Sequence, residues 1–97
     1  MKDIFRLDGK IAVVTGGAGG IGEALALGLG YQGATVVVSS RNQRAIDAVA
    51  EKISSETGSE AIAVASDVTD ESSIQSLVNT VVEKYGKIDI LVNAMGM

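Results

Sequence analysis

The chain of 97 residues contains no cysteine, no histidine, no proline and no tryptophan. Without thiols or imidazoles, disulfides and thiolate or imidazole metal sites are excluded, and no metal site is expected. Without proline or a low-complexity tract there is no linker, so residues 1–97 read as one domain. A domain this small buries only about 60–65% of the surface its unfolded chain exposes. Basic residues are also scarce: eight Lys and Arg, unclustered, stand against twelve Asp and Glu, for a net charge of −4. That balance argues against nucleic acid and against an anionic membrane as partners. No apolar run approaches the roughly 20 residues that span a bilayer. No targeting signal is recognisable, which makes the cytoplasm the expected location.

Glycine is the exception, with twelve residues, and its densest stretch organises the chain. Thr15-Gly16-Gly17-Ala18-Gly19-Gly20-Ile21-Gly22 is entered from the apolar run Ile11-Ala12-Val13-Val14 and left into Glu23-Ala24-Leu25-Ala26-Leu27. Strand, glycine turn and helix follow in that order. Missing side chains let backbone N–H groups close on phosphates, and the helix start sets its positive dipole end against them. Gly17-x-Gly19-x-x-Gly22 matches the general dinucleotide fingerprint. A phosphate loop of the NTPase kind is disfavoured, because Glu23 stands where Gly17-x-x-x-x-Gly22 would require lysine.

The remaining chain repeats the same alternation. Residues 1–10 are a polar lead anchored by Ile4, Phe5 and Leu7, with Asp8-Gly9 turning into the first strand. Ile21, Ala24, Leu25, Gly28 and Leu29 share one face of the first helix, which predicts that this stripe meets the sheet. Gly28 and Gly30 weaken that helix, so a close approach to the sheet is expected there, and Gly33 ends it. Thr35-Val36-Val37-Val38 is a β-branched strand. Ile46, Val49, Ala50 and Ile53 mark a second helix, capped by Asn42 and closing before Gly58. Residues 54–60 are polar enough for a solvated loop. Residues 61–65 form a third strand. Ile74, Leu77, Val78, Val81 and Tyr85 form a third helical stripe, capped by Thr69 or Asp70, ended by Gly86, and with Tyr85 as core. Ile88-Asp89-Ile90-Leu91-Val92 is a fourth strand. Continuous apolar strands alternating with helices indicate parallel strands covered on both faces, hence an α/β class.

Thr15-Gly16-x-x-x-Gly20-x-Gly22, Asp67-Val68 after the third strand, and Leu91-Val92-Asn93-Ala94-Met95-Gly96 after the fourth occur in an order and spacing that resemble the first half of a short-chain dehydrogenase/reductase. The resemblance covers essentially the whole chain. It implies a Rossmann-type three-layer sandwich: a parallel sheet of four strands in order 3-2-1-4 with three helices, ending after the fourth strand. It implies that Gly16, Gly20, Ile21 and Gly22 hold a pyrophosphate, that Asp67 with Val68 meets an adenine ring, and that Asn93, Ala94 and Gly96 line the cofactor crevice and steady the sheet. Read without it, Asp67 is equally placed to organise the next helix start, and Asn93 to form a turn at a strand end. Thr15 is expected to tie the turn to neighbouring backbone.

Cofactor choice turns on the end of the second strand, where an acid would accept from the ribose 2′-OH of NAD. The sequence there is Ser39-Ser40-Arg41-Asn42, without a carboxylate. Small Ser40 leaves room, and the Arg41 guanidinium suits a 2′-phosphate, so NADP is expected over NAD. The resemblance also implies a catalytic Ser and a Tyr-x-x-x-Lys pair. Tyr31 is followed four residues later by Thr35 and Tyr85 by Asp89, so no catalytic residue is assigned and the chain alone is expected to be inactive. Right-handed crossovers put two helices on one face and one on the other. A sheet about 19 Å wide is poorly covered by one helix about 10–12 Å across. A homo-oligomer or a missing C-terminal half is therefore expected over that face. The expected function is the NAD(P)-binding part of an oxidoreductase acting on an alcohol/carbonyl pair; the alternative is a non-catalytic nucleotide-binding or interaction module.

Overall fold

The computed structural model describes residues 6–94; Ile4, Phe5 and Gly96 lie outside them. Seven elements follow in strict alternation: β1 (Ile11–Thr15), α1 (Gly20–Tyr31), β2 (Thr35–Ser39), α2 (Gln43–Thr57), β3 (Ala61–Ala63), α3 (Glu71–Tyr85) and β4 (Ile90–Asn93). All three strand pairings are parallel, in the order β3-β2-β1-β4. Parallel neighbours need crossovers, and the helices supply them. The expected fold class and strand order are those observed.

Period-two alternation distributes each strand between two cores. Ala12, Val14, Val36 and Val38 point to the side of α1 and α2, where they pack with Ala26, Ile46, Val49, Ala50 and Ile53. Ile11, Val13 and Val37 point the other way, against Leu77 and Val81 of α3. The strands are apolar on both faces because both faces are used. The faces are unequal, with two helices on one and α3 alone on the other.

The helices end where local chemistry stops them. Asn42 caps α2 by accepting the Ala45 N–H at 3.1 Å, and Asp70, rather than Thr69, caps α3 by accepting from Ser72 at 3.0 Å. Gly58 and Gly86 close α2 and α3 at φ of 76° and 83°, a conformation that disfavours a side chain. The N-terminal lead is strapped onto the end of α1: Leu7 N–H donates to Gln32 O at 2.7 Å, and Arg6 donates to Tyr31 O at 3.1 Å.

Several expectations are corrected. The α1 stripe Ile21, Ala24, Leu25 and Gly28 faces outward, with Ile21 52% and Leu25 39% exposed, while Leu29 is half-buried. The buried face is Gly22, Ala26 and Gly30. The helix lies so near its neighbours that only small residues at i, i+4 and i+8 fit between, so the larger apolar residues are displaced outward. The close approach expected toward the sheet is found at neither glycine: at Gly30 it is α2 that comes near, through Ile53 and Thr57, and beside Gly28 a β-carbon would meet nothing within 4 Å. Helix α2 absorbs Ser54 to Thr57, where a loop was expected, and Thr57 turns its hydroxyl back onto Ile53 O at 2.7 Å. Strand β3 ends at Ala63 rather than 65, and β4 starts at Ile90 rather than 88. At the β4 start the Asp89 carboxylate takes the Ile11 N–H at 2.8 Å in place of a backbone partner. Tyr85 is only half-buried; its hydroxyl donates to Glu60.

Three predictions follow from the helices. Gly28→Ala should stabilise the chain by about 1 kcal/mol through helix propensity. Gly30→Ala should destabilise it by about 1–3 kcal/mol, because its β-carbon would fall 2.8 Å from Ile53 Cγ2 and 3.0 Å from Thr57 Oγ1. Both neighbours are β-branched and stiff. Denaturant unfolding of the two variants should move the midpoint in opposite directions. At Asp70, hydrogen bonds from the Ser72 side chain, then from backbone N–H groups, hold the carboxyl below its usual value of 3.8. A depressed pKa contributes stability that is present above the unfolded value and lost as pH falls through the folded one. Asp70→Asn should therefore keep the cap at neutral pH, and its unfolding midpoint should fall less on acidification than that of the parent chain.

Candidate functional site

The carboxyl ends of the parallel strands open onto one crevice, built from three loops. The first is the glycine turn. Gly16 sits at φ 77°, and the N–H groups of Gly16 and Gly17 both donate to Ser39 O, at 2.8 and 3.2 Å. Gly19 N–H returns to Gly16 O at 3.2 Å. A β-carbon on Gly22 would lie 2.1 Å from Gly16 O and 2.8 Å from Gly16 C, so α1 begins in contact with the turn that precedes it.

The three helix starts differ. Helices α2 and α3 are capped by side chains, whereas Gly19 at the start of α1 offers none. The first-turn amides of Gly20, Ile21 and Gly22 are donors with no partner within the helix, and beside Gly20 a β-carbon would meet nothing within 4 Å. The dipole end adds positive potential. The acid at Glu23 is turned aside: its carboxylate pairs with Lys52 of α2 at 3.2 Å. Donating that bond to Glu23 raises the pKa of the Lys52 ammonium above its usual value.

Beside the turn lies a cleft of 310 Å³, with Gly16 on one wall, residues 40–42 on a second and residues 66–69 on a third. This is within the size of small-molecule sites. Asp67 Oδ1 accepts from the Thr69 N–H at 2.9 Å and from the Thr69 hydroxyl at 2.7 Å. These bonds, first the hydroxyl and then the amide, hold its carboxyl below the usual range, and the Arg41 charge adds to the effect. Asp67 thus organises the approach to α3 and also lines the cleft. At the end of β2, Ser39 is buried, Ser40 and Arg41 line the cleft, and no carboxylate stands there. The next acid, Asp47, accepts from Gln43 on α2 at 2.7 Å.

Gly16, Ser40, Arg41, Asp67 and Val68 share this cleft, and Gly20, Ile21 and Gly22 form the adjoining helix start. Asn93 stands apart. Opposite Thr15 in the β1/β4 register, it accepts the Thr15 hydroxyl at 3.1 Å, and the Ala94 N–H donates to Thr15 O at 2.9 Å. Thr15 therefore ties the turn to β4, through the Asn93 side chain and, at 3.4 Å, the Val92 backbone carbonyl. Asn93 also lines a second, apolar groove of 280 Å³ beside α3 with Val13, Leu77, Ile88 and Leu91; Leu91 is 68% exposed. Val68 borders both spaces. Asn42, Ser66 and Thr69 line the cleft without having been foreseen; their closeness to Arg41 and Asp67 in sequence was the available signal. Among the described residues no helix is long and apolar enough to cross a membrane, and no group of three or more His, Cys, Asp or Glu is placed to hold a metal ion.

A parallel sheet with a glycine turn, an uncapped helix start and a cleft at the strand ends is a Rossmann-type arrangement. The chain belongs to the short-chain dehydrogenase family, whose profile matches residues 10–97; the family comprises oxidoreductases built on an NAD(P)-binding Rossmann fold. It is similar to versicolorin reductase stcU of Emericella nidulans, 44% identical over 97 residues, covering 99% of this chain and 36% of that protein. The Pseudomonas aeruginosa RhlG/NADP active-site complex superposes with a TM-score of 0.90 at 35% identity, covering 100% of this chain and 38% of that one. NAD+-bound xylitol dehydrogenase superposes at 0.84 with 36% identity, covering 92% and 33%. The chain thus spans about a third of the length of these relatives.

Gly22→Ala should disrupt the glycine turn, because the added carbon meets backbone that cannot rotate away. A lowered unfolding midpoint is expected in denaturant unfolding, whereas Gly20→Ala, with open space beside it, should leave the midpoint nearly unchanged.

Proposed function

We propose that this chain is the NADP-binding part of a short-chain oxidoreductase that interconverts an alcohol and a carbonyl. The observation that carries the reading is Arg41 on the wall of the cleft, at the end of a strand that offers no carboxylate. A carboxylate there would accept from a ribose 2′-OH and repel a 2′-phosphate; a guanidinium does the reverse. The dinucleotide supplies the hydride chemistry when bound.

The residues of this chain bind and orient. The amides of Gly20, Ile21 and Gly22 receive the pyrophosphate at the helix start. The wall formed by Asp67 and Val68 flanks the base, and Ser40 and Arg41 take the 2′-phosphate. Asn93 and Ala94, at the end of β4, hold Thr15 and so steady the entry to the glycine turn. Neither tyrosine is assigned to proton transfer. That role needs a phenol with a lowered pKa, whereas burial, and then the bond to Glu60, pushes Tyr85 above the ordinary tyrosine range. Tyr31 lies at the far end of α1. The apolar groove beside α3 belongs to the same reading, as the face that a second copy or further sequence of the kind its relatives carry would cover.

Calorimetric titration with NADPH and NADH tests the proposal on a chain first shown to be folded by circular dichroism. Saturable binding with NADPH preferred is expected, and Arg41→Ala should weaken NADPH by on the order of tenfold while leaving NADH nearly unchanged. A folded chain that binds neither dinucleotide would overturn it.

A further inference from the structure

The floor of the cleft holds a polar contact that the proposed function does not use. Ser39, at the end of β2, and Ser66, in the segment after β3, are both buried. Ser39 Oγ lies 2.6 Å from Val64 O and 2.6 Å from Ser66 Oγ. A carbonyl only accepts, so the single Ser39 proton goes to Val64, and Ser66 must donate its own to Ser39. Both hydroxyl protons are therefore committed inside the floor.

The β2/β3 ladder ends at the pair Val38 and Ala63. Beyond it, two backbone bonds hold the departing segment, Val64 N–H to Val38 O at 3.0 Å and Ser66 N–H to Ser40 O at 2.9 Å. The hydroxyl pair adds the side-chain tie between the same two segments. Ser39 O meanwhile accepts both N–H groups of the glycine turn. One buried residue thus joins all three walls: the turn through its carbonyl, Arg41 through the chain, and Asp67 through Ser66.

We infer that the Ser39–Ser66 hydroxyl pair positions the adenosine end of the dinucleotide site, holding residues 66–68 at a set distance from residues 40–41 so that the slot for the base is formed before the ligand arrives. The inference rests on the dinucleotide reading of this cleft. A buried hydroxyl without a partner is costly, so the pair is satisfied only when the segment is seated, and the slot is thereby pre-organised. The base is common to NADPH and NADH, whereas the 2′-phosphate is not. The pair therefore sets affinity for both dinucleotides without altering the choice between them, the opposite of what Arg41 does.

Ser66→Ala removes the donated bond and leaves the Ser39 bond to Val64 intact. Calorimetric titration of that variant with NADPH and with NADH should show both weakened together, roughly fivefold, the size of one lost hydrogen bond, with their ratio nearly unchanged and the variant, somewhat less stable for the lost bond, still fully folded at the titration temperature. Ser66→Thr, which keeps the hydroxyl, should restore binding. Ser66→Cys, close in size but a weak donor, should fall between, and it carries the test if the alanine variant does not fold. Unchanged affinity, a changed ratio, a loss that merely follows unfolding at the titration temperature, or no recovery with threonine would each overturn the positioning role. A parent chain that binds neither dinucleotide would instead overturn the cofactor reading beneath it.

Discussion

Gly22 has no room for a β-carbon, and much of the architecture depends on that. The carbonyl of Gly16 occupies the place where its side chain would be, so α1 starts against the turn that leaves β1 instead of after a longer loop. The same closeness continues along the helix through Ala26 and Gly30, which let α1 settle between the sheet and α2. One constraint, restriction to glycine or alanine at every fourth position of one helix face, thereby brings the positive end of a helix to the ends of the strands.

The three helices divide two tasks. Asn42 and Asp70 satisfy the starts of α2 and α3 internally, so those helices are complete in themselves. The start of α1 has no such cap, and its amides are free for an external anion. Anchorage of the turn comes from Ser39, whose carbonyl takes two glycine N–H groups. Rigidity and an unfilled donor set meet at one place, which is what a preformed phosphate site requires.

Burial is less even than the sheet topology implies. On one face α1 and α2 together enclose a continuous core, while on the other α3 covers the centre and leaves the β4 side open around Leu91. The outward residues of α1, Ile21 and Leu25, add a second exposed apolar strip. Both are apolar surfaces that the described residues leave exposed.

Alternating apolar runs and helical stripes were sufficient to read the α/β class, the four strands and the three helices. Turn chemistry at Gly33, Gly58 and Gly86 marked the helix ends, because these signals are local and act through backbone conformation. The glycine turn and the missing acid at the end of β2 pointed to the crevice for the same reason. The inward face of α1 was not legible. Periodicity ranks residues by hydrophobicity, whereas the packing distance selected the smallest ones, and that distance is a property of the assembled layers. The ends of β3 and β4 were likewise decided by partners distant in sequence, such as Asp89 meeting Ile11. The Ser39–Ser66 contact joins residues 27 apart that carry no shared motif. By itself the sequence determined which segments become strands, helices and glycine turn, since those follow from local propensity and pattern. Only the tertiary structure decided which faces touch and which hydroxyls meet, because those depend on how closely the layers approach.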